Sequence, residues 1–414
     1  MTSATVSDRP IDPASPVAPL FADVADYRRR VHETVSSWGS APDRWEREQR
    51  LPSALFAQLG TEGLFRERWA SGVGPGLPHG LALVDELGRV SSGAALGVMT
   101  HGEVFVGALV RLARTASQLE LLERALAGDA IGCFAVTEHH GGSDLAALRT
   151  TATPTGHGWR IRGGKRFVSN ASTATHALVA ARSTEARPDR DLCLFVVPLD
   201  GGVVTEAVHE KVGVKACQMA DLRFDTAVGT DALLGVQGAA LLYLNRLLEL
   251  ERVSIAWQLL VASRSALGLA AAFARRRVVG AAPLIDKQAV RHRLADAQAA
   301  LWPLEAMFAH VAGVIIGGGS AARETAALKL ACAQAAGRIL DDCLQIFGGR
   351  GCITSFPLER WWRDVRVARI GGGADEVMRE MVGAAFSRPD RVYDPWLASL
   401  EPDDLDSSAG ALSS

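Results

Sequence analysis

The sequence predicts an α+β protein in which one β-rich segment lies between two helical parts. Helical periodicity runs through residues 21–130, as in QLELLERALAGD. Residues 131–235 change character, because stretches such as HALVAARS and LCLFVVPL are short, β-rich and bounded by Gly, Asp or Pro. Long Ala- and Leu-rich helical stretches return in residues 236–388. This order differs from a βαβ nucleotide fold and predicts a small antiparallel β-domain between an N-terminal helical domain and C-terminal helices.

Composition narrows the class of protein further. The length of 414 residues is enough for two or three domains. The formal net charge of -2 gives no overall attraction to nucleic acid. Six scattered cysteines without a CxxC motif favour a reduced, cytoplasmic chain over a disulfide framework or a zinc site. Residues 1–20 lack the pattern of a signal peptide and are predicted to be a disordered lead, and residues 389–414 a disordered tail.

Three local patterns suggest other classes of protein, and we interpret each of them as ordinary structure. Residues 253–274 are long and apolar enough for a membrane span, but Gln258 and Arg264 interrupt them, so we predict a helix buried in a bundle. GVGPGLPHG lacks the GxGxxG spacing of a dinucleotide-binding turn. His139 and His140 are adjacent, and adjacent side chains rarely bind one ion, so we expect a loop and no metal site.

Three motifs resemble those of the acyl-CoA dehydrogenase family and occur in the family's order. CFAVTEHHGGSDLAALRTTATPTGHGWRIRGGKRFVSNAS resembles the TEPxxGSD loop and the GxKx[WF]I[ST]N strand, and ARRRVVGAAPLIDKQ resembles RxxFGxPLxxxQ. QIFGGRGCITSFPLERWWRDVRVARI resembles the QxxGGxGxxxxxPxxRxxRD run. The resemblance covers roughly residues 51–386. It implies that family's fold, with a C-terminal four-helix bundle, and a flavoenzyme that uses FAD.

The first motif, by this resemblance, forms the flavin end of the FAD site. A strand edge offers N–H and C=O groups to the ring's heteroatoms, and an aromatic side chain covers its apolar face. The serine of the GSD sequence matches a family position at the FAD pyrophosphate or at the thioester. The residues that the resemblance assigns to the cofactor here are Phe134, Val136, Thr137, Ser143, Phe167 and Ser169.

The later motifs resemble the adenosine half of the FAD site, which in the family comes from a neighbouring subunit. The resemblance implies that Arg276 pairs with the pyrophosphate. It also implies that Gln345, Gly348 and Gly349 lie against the adenosine, where glycine permits a close approach of backbone. The sequence departs from the family at two positions: Val279 replaces the usual Phe, and Ala374 replaces the usual Thr. A homotetramer, or at least a homodimer, is the expected assembly.

The usual catalytic base of the family is missing from this sequence. Removal of a weakly acidic Cα proton requires a positioned carboxylate, which most members carry directly before a Gly-Thr pair. In RDVRVARIGGGAD that position is Gly372. A minority of members carry the base on the first long C-terminal helix, in an xER motif that Glu251 and Arg252 match in LLELERVSIAW. The resemblance therefore implies that Glu251 is the base.

The neighbours of these two residues complete the predicted site. Gly372 retains a backbone N–H that, by resemblance, donates to the thioester carbonyl. Glu249, Arg252 and Ser143 are expected beside the substrate. The alternative for Glu249 and Glu251 is that both are surface charges on a solvated helix face.

The predicted function is the FAD-dependent formation of a Cα–Cβ double bond in an acyl thioester of CoA or of a carrier protein. Secondary metabolism is a plausible setting by analogy. The expected electron acceptor is a flavoprotein or O2. One alternative is a flavin-dependent monooxygenase on the same fold, which would lack the base and use reduced flavin. A second alternative is a non-catalytic flavoprotein scaffold.

Overall fold

The computed structural model of the protein describes residues 14–187, 190–354 and 356–400. Its first part is helical, and α8 begins with a reciprocal capping box between Thr115 and Gln118. The elements of this part are α1 (Ala25–Ser37), α2 (Ala41–Glu48), α3 (Ser53–Thr61), α4 (Leu64–Ala70), α5 (Leu77–Val90), α6 (Ser92–Met99), a π-helical segment (Thr100–Val106), α7 (Gly107–Leu112) and α8 (Ala116–Leu126).

The predicted disordered lead, residues 1–20, includes residues that are ordered in the structure. A 3-10 helix at Ala18–Val24 precedes α1, and its residues Phe21 and Val24 are buried together with Val17. These apolar side chains join the main core because burying them stabilises the fold. The prediction of disorder is therefore wrong for the end of that segment, while residues 1–13 lie outside the described residues.

The second part is a sheet with β1 (Gly132–Ala135), β2 (Thr151–Thr155), β3 (Gly158–Ser169), β4 (His176–Ser183), β5 (Leu192–Pro198), β6 (Val203–Val208) and β7 (Met219–Gly229). Its order is β1-β4-β2-β3-β7-β6, and β5 pairs with β4. The sheet is mixed, because β4 pairs in parallel with β1 and with β2. The prediction of a purely antiparallel domain is corrected here: the β2–β3 hairpin separates β1 from β4 in the chain, and this long connection permits a parallel pairing.

The third part contains α9 (Ala240–Arg276), the short strands β8 (Val278–Val279) and β9 (Ala282–Pro283), α10 (Gln288–Ile316), α11 (Ala322–Phe347), α12 (Pro357–Val367), α13 (Asp375–Gly383) and α14 (Tyr393–Ala398). The helices α9, α10 and α11 pack on one another, and α12 and α13 pack on α11 to complete the bundle. The predicted fold class is confirmed. In the predicted tail, α14 is a short exposed helix, and residues 401–414 lie outside the described part of the chain.

Three helices are long and apolar enough to cross a membrane by length and composition alone: Ser92–Leu112, Ala240–Arg276 and Gln288–Ile316. The buried shares of their most apolar windows are 89%, 61% and 33%. The run that we predicted to be a bundle helix lies inside the second of these. Its side chains Val253, Ala256 and Trp257 are fully buried in the core.

His101 fixes the first strand of the sheet against the N-terminal helices. Its Nδ1 accepts the N–H of Gly132 at 3.1 Å, and its Nε2 lies 3.1 Å from the carbonyl oxygen of Ala125. Burial lowers the pKa of His101 to about 4, so the ring is neutral near pH 7. A side chain at Gly132 would also overlap Phe105, at 1.9 Å from its ring. These contacts hold the start of β1 closely against the N-terminal helices.

Candidate active site

Glu251 lies on α9 with its carboxyl group buried. Its Oε2 has no hydrogen-bond partner among the described residues. Burial raises the pKa of this carboxyl from 4.5 to about 7, although Arg252 and Lys329 oppose the shift. A buried carboxyl with a free oxygen and a pKa near neutrality has the properties of a general base.

The glycine loop between α12 and α13 lies directly opposite this carboxyl. A Cβ atom added at Gly372 would be 3.9 Å from Oε1 of Glu251 and 2.6 Å from Cδ1 of Ile255. The backbone φ of Gly372 is 66°, in the left-handed region that favours glycine. Glu251 and the position where most family members carry the base therefore face one small volume.

Two buried cations hold the carbonyl groups of this loop. Arg252 donates from Nε to the Gly372 oxygen at 2.9 Å, and Lys329 donates from Nζ to the Gly373 oxygen at 2.7 Å. Lys329 is fully buried, and burial lowers its pKa to about 8. The Gly372 N–H has no hydrogen-bond partner in the described parts of the chain. The loop thus keeps one backbone donor available next to Glu251.

Glu249 makes buried contacts at the start of α11 and also lines a cavity there, so its predicted place beside the substrate stays a prediction. Its Oε1 accepts the backbone N–H of Ala321 at 2.6 Å and the hydroxyl of Ser320 at 3.2 Å. Its Oε2 pairs with Arg246 at 3.3 Å. These contacts cap the start of α11 with a carboxylate, which the helix dipole favours. We therefore assign Glu249 a structural role. The alternative that Glu249 is a solvated surface charge is wrong, because only 4% of the residue is exposed.

The first predicted cofactor wall is built by β1 and β3 and fastened by a buried ion pair. Lys165 donates from Nζ to Oε1 of Glu138 at 2.7 Å and to the carbonyl oxygen of Val136 at 3.0 Å. Glu138 also accepts two backbone N–H groups, from Arg149 at 2.6 Å and Thr150 at 2.9 Å. The loop after β1 is thereby fixed beside β3. Phe134, Val136 and Thr137 therefore have defined positions along this wall.

Phe167 stands at the end of β3 with an exposed ring. Its relative exposure is 48%, and its φ is 56°, an uncommon backbone conformation for a residue with a side chain. Asp221 on β7 accepts the Phe167 N–H at 3.0 Å and also pairs with Arg166. Ser169 lies two residues further along β3. An exposed aromatic held in a costly conformation fits a residue that covers a ring ligand. Ser143 is exposed, and its predicted role stays a prediction.

The second predicted cofactor region is a cavity of about 500 Å³ at the far end of α9. Arg276, Arg277 and Arg350 line it, and none of them forms an ion pair within the described residues. Phe273 and Phe347 stack in its wall with ring centroids 4.1 Å apart. Uncommitted guanidinium groups beside aromatic rings fit a phosphate-bearing nucleotide.

Gly348 and Gly349 follow Phe347 and leave open space at this cavity. Gly348 has a φ of 59° and a ψ of -142°, a combination that is restricted to glycine. A Cβ at either glycine would meet no atom within 4 Å. Gln345 is exposed one turn before them on α11. The surface formed by these residues is therefore open to a ligand that binds from outside the chain.

The predicted base and the arginine predicted to bind the pyrophosphate are far apart within one chain. Glu251 and Arg276 lie on the same continuous helix, 25 residues apart, which corresponds to about 38 Å along the axis. That span is longer than one extended FAD molecule. The chain therefore separates the base from the arginine cavity instead of joining them in one pocket.

Sequence reasoning missed three residues that organise this site. Lys329 was not singled out, although it is the one lysine in the apolar stretch TAALKLACAQAAG. Glu138 and Lys165 were quoted within the first motif without a role. Their signal is a carboxylate and a lysine at fixed places in the same loop-and-strand motif. Only the folded structure shows that Lys329 reaches the glycine loop 44 residues away.

Comparison with known proteins matches one family along nearly the whole described chain. Three family profiles apply, with the descriptions acyl-CoA dehydrogenase N-terminal domain at residues 25–129, middle domain at residues 133–227 and C-terminal domain at residues 241–386. The three matches follow one another without overlap and in the order of the helical, β and helical parts described above.

Individual relatives agree with these profiles. The acyl-[acyl-carrier-protein] dehydrogenase MbtN of Mycobacterium sp. (strain MCS) is 36% identical over 382 residues, which cover 91% of this chain and 96% of that protein. The mitochondrial short-chain specific acyl-CoA dehydrogenase of Homo sapiens is 30% identical over 349 residues, covering 83% and 84%. The crystal structure of a probable acyl-CoA dehydrogenase from Mycobacterium abscessus has a TM-score of 0.83 at 25% identity and covers 88% and 99%.

Proposed function

The chain belongs to the acyl-CoA dehydrogenase family, and on that premise we propose that Glu251 removes the Cα proton of an acyl thioester bound beside Gly372. The protein is an FAD-dependent oxidoreductase that forms a Cα–Cβ double bond in its acyl substrate. The observation that carries the choice of base is the buried, unpartnered oxygen of Glu251 opposite the glycine loop.

Glu251 is suited to the proton step by its surroundings. A carboxylate with a pKa near 7 is ionised in part at neutral pH and is a stronger base than an ordinary glutamate. Arg252 and Lys329 are close enough to lower that pKa and keep the charged form accessible. After it takes the proton, the neutral carboxyl is the form that its buried position favours.

The glycine loop serves the other end of the same step. Loss of the Cα proton places negative charge on the thioester oxygen, and a fixed N–H donor stabilises that charge. The Gly372 N–H is available for this bond, and Arg252 holds the same residue through its carbonyl. Lys329 fixes the next carbonyl, so the direction of the loop does not depend on the substrate. We assign both cations to positioning.

The residues of this chain fit FAD. Phe167 and the β1 edge would hold the ring, and the open glycines with Arg276 would hold the nucleotide end. When bound, FAD supplies the acceptor for the hydride that leaves Cβ. Because Glu251 and Arg276 of one chain lie about 38 Å apart along α9, we propose that two copies complete each FAD site in a closed dimer or tetramer.

The remaining properties are proposals that depend on the relatives. A carrier-protein thioester is our preferred substrate class, because a relative named as an acyl-carrier-protein dehydrogenase is 36% identical over most of the chain. An electron-accepting flavoprotein, a cytoplasmic location, a role in secondary metabolism and the absence of a membrane span also remain proposals. The monooxygenase alternative gains no support, because the site contains a buried carboxylate where the base is required.

Anaerobic mixing of the purified holoenzyme with acyl thioesters tests this function. We expect the flavin absorbance to bleach without NAD(P)H, and the acyl product to contain a Cα–Cβ double bond by mass spectrometry. Pairs of the same acyl group on CoA and on a carrier protein separate the two substrate classes. Bleaching that requires an added reductase, followed by oxygen transfer to the substrate, would overturn the proposal.

A further inference from the structure

A second cavity lies where the first turns of α9 meet α7 and the α10–α11 loop. Its volume is about 450 Å³. Most of its wall is apolar, with contributions from Val73, Leu112, Leu247, Leu250 and Ile315. A concave, mainly apolar cavity with few polar groups is typical of a small-molecule subsite. None of the cofactor residues described above lines it.

Arg111 is the unusual member of this wall. Its Nη1 is buried without a hydrogen-bond partner, and its guanidinium forms no ion pair within the described residues. Burial lowers the pKa of Arg111, which means that its positive charge lacks full compensation. Buried donors in folded proteins normally have a partner, so the unpaired Nη1 of this half-buried side chain requires an explanation.

The neighbouring charges do not supply that partner. Glu103 is held by Arg68 through two bonds of 2.7 Å. Glu249 pairs with Arg246 and caps α11. These four groups are the charges that act most strongly on Arg111, and Arg246 and Glu249 also line the cavity. With Arg111 they sum to one positive charge. The cavity is therefore suited to a ligand with an apolar body and one anionic oxygen group.

The cavity is adjacent to the catalytic base along α9. Leu250, which lines it, directly precedes Glu251, and Leu247 lies one turn earlier. Tyr243, at the far side of the cavity, is eight residues from Glu251, or about 12 Å along the helix. An acyl chain that starts at Glu251 and follows α9 toward its N-terminus would reach this space.

We propose that this cavity receives the distal end of the acyl group and that Arg111 binds an anionic oxygen group, such as a carboxylate, at that end. The proposal rests on the dehydrogenase function and names its substrate class: acyl thioesters that carry a negative charge at the end remote from the thioester. A guanidinium bound to a carboxylate forms charge-assisted hydrogen bonds. That bond would provide the missing partner of Nη1.

Binding to the Glu251→Gln holoenzyme tests the proposal without turnover. Isothermal titration compares matched CoA thioesters from hexanoyl to dodecanoyl, each plain or ending in a carboxylate. At the chain length that reaches Arg111, we expect the carboxylate form to bind roughly tenfold or more tightly than the plain form. Adding Arg111→Met should remove this preference and leave the plain acyl group bound as before.

Arg44→Met is the matched control, because Arg44 is an exposed arginine on α2, away from this cavity. It should keep the preference. Equal or weaker binding of the carboxylate form at every length would overturn the proposal, as would a preference that survives Arg111→Met. Bleaching of the wild-type flavin by plain thioesters tests the dehydrogenase function separately. If no thioester bleaches the flavin, that function fails, while the titration still decides what Arg111 binds.

Discussion

Glu251 and Gly372 face each other across one small volume, with 3.9 Å between Oε1 of Glu251 and the place where a Cβ of residue 372 would stand. One residue comes from the first long helix of the bundle and the other from the loop between its last helices. A carboxylate at either position reaches the same space. A base at the position of Gly372 and a base at the position of Glu251 thus place a carboxylate oxygen in the same part of the site.

Replacing the base should separate chemistry from binding. Glu251→Gln keeps the size of the side chain and removes its ability to take a proton. We expect flavin reduction to slow by roughly two to four orders of magnitude, the usual contribution of a general base. FAD content and thioester affinity should stay close to wild type. Stopped-flow absorbance measures the rate, and Glu120→Gln, at an exposed site on α8, is the control. A wild-type rate would show that Glu251 is not the base.

The pH dependence should report the raised pKa of Glu251. The base acts only when ionised, so kcat/KM should increase with pH, about tenfold per unit below pH 7, and level off above it. The sign follows from burial, which favours the neutral acid and moves its pKa upward from 4.5 to about 7. If kcat/KM instead levelled off above a pKa near the ordinary value of 4.5, this assignment would be contradicted. The kcat/KM of the Glu251→Gln variant should not show this increase with pH.

Moving the base to the commoner family position should restore part of the rate, provided that space is made. A Cβ at residue 372 would approach Cδ1 of Ile255 to 2.6 Å, and Ile255→Val removes that methyl group. We therefore expect Glu251→Gln, Ile255→Val and Gly372→Glu combined to reduce flavin faster than Glu251→Gln with Ile255→Val. Without the Ile255 change, Gly372→Glu should lower Tm, because the left-handed φ and the contact both add strain. Equal rates with and without Gly372→Glu would show that the two positions do not reach one substrate carbon.

The helical–β–helical order was predictable from local patterns, and the roles of Glu251 and Gly372 were predictable from the resemblance of their motifs to those of the family. Periodicity marked the three parts, and the xER and glycine-loop motifs marked the two sides of the site. The mixed sheet was not predictable, since the parallel pairing of β1 with β4 joins strands that a hairpin separates. Strand composition alone does not specify which neighbour a strand chooses.

The roles of Glu249 and Lys329 depended on contacts between distant segments. Glu249 sits in the same ELER sequence as the base, and only the position of Ala321 shows that it caps a helix. Lys329 looks like a single interruption of an apolar helix until Gly373 is placed against it. A side chain's neighbours along the chain predict its burial, but its hydrogen-bond partner is set by the tertiary fold.

Removing the buried lysine should change both the rate and its pH dependence. Lys329→Met deletes the donor to the Gly373 carbonyl and a positive charge that lowers the pKa of Glu251. We expect flavin reduction at pH 7 to fall by about tenfold, because the loop is less fixed and the base is less ionised. The pKa observed in the pH dependence of kcat/KM should move to higher pH. FAD content is the control and should not change. If the enzyme were slower but the pKa in its kcat/KM profile were unchanged, the role of Lys329 would be purely structural.

Mixing two inactive variants should restore activity if neighbouring copies share each FAD site. Arg276→Ala should lose FAD, since it removes an arginine from the nucleotide cavity, whereas Glu251→Gln should bind FAD and react slowly. In a mixed dimer, one site combines the intact Glu251 of the first variant with the intact Arg276 of the second. Random pairing places half of the dimers in this class, with one good site each, so about a quarter of the wild-type rate should return. Co-expression followed by an anaerobic bleaching assay measures this recovery. Glu251→Gln co-expressed with the double variant is the control, and it should stay inactive. If one chain held the whole site, every site would carry one of the two substitutions, and the mixture would show no recovery.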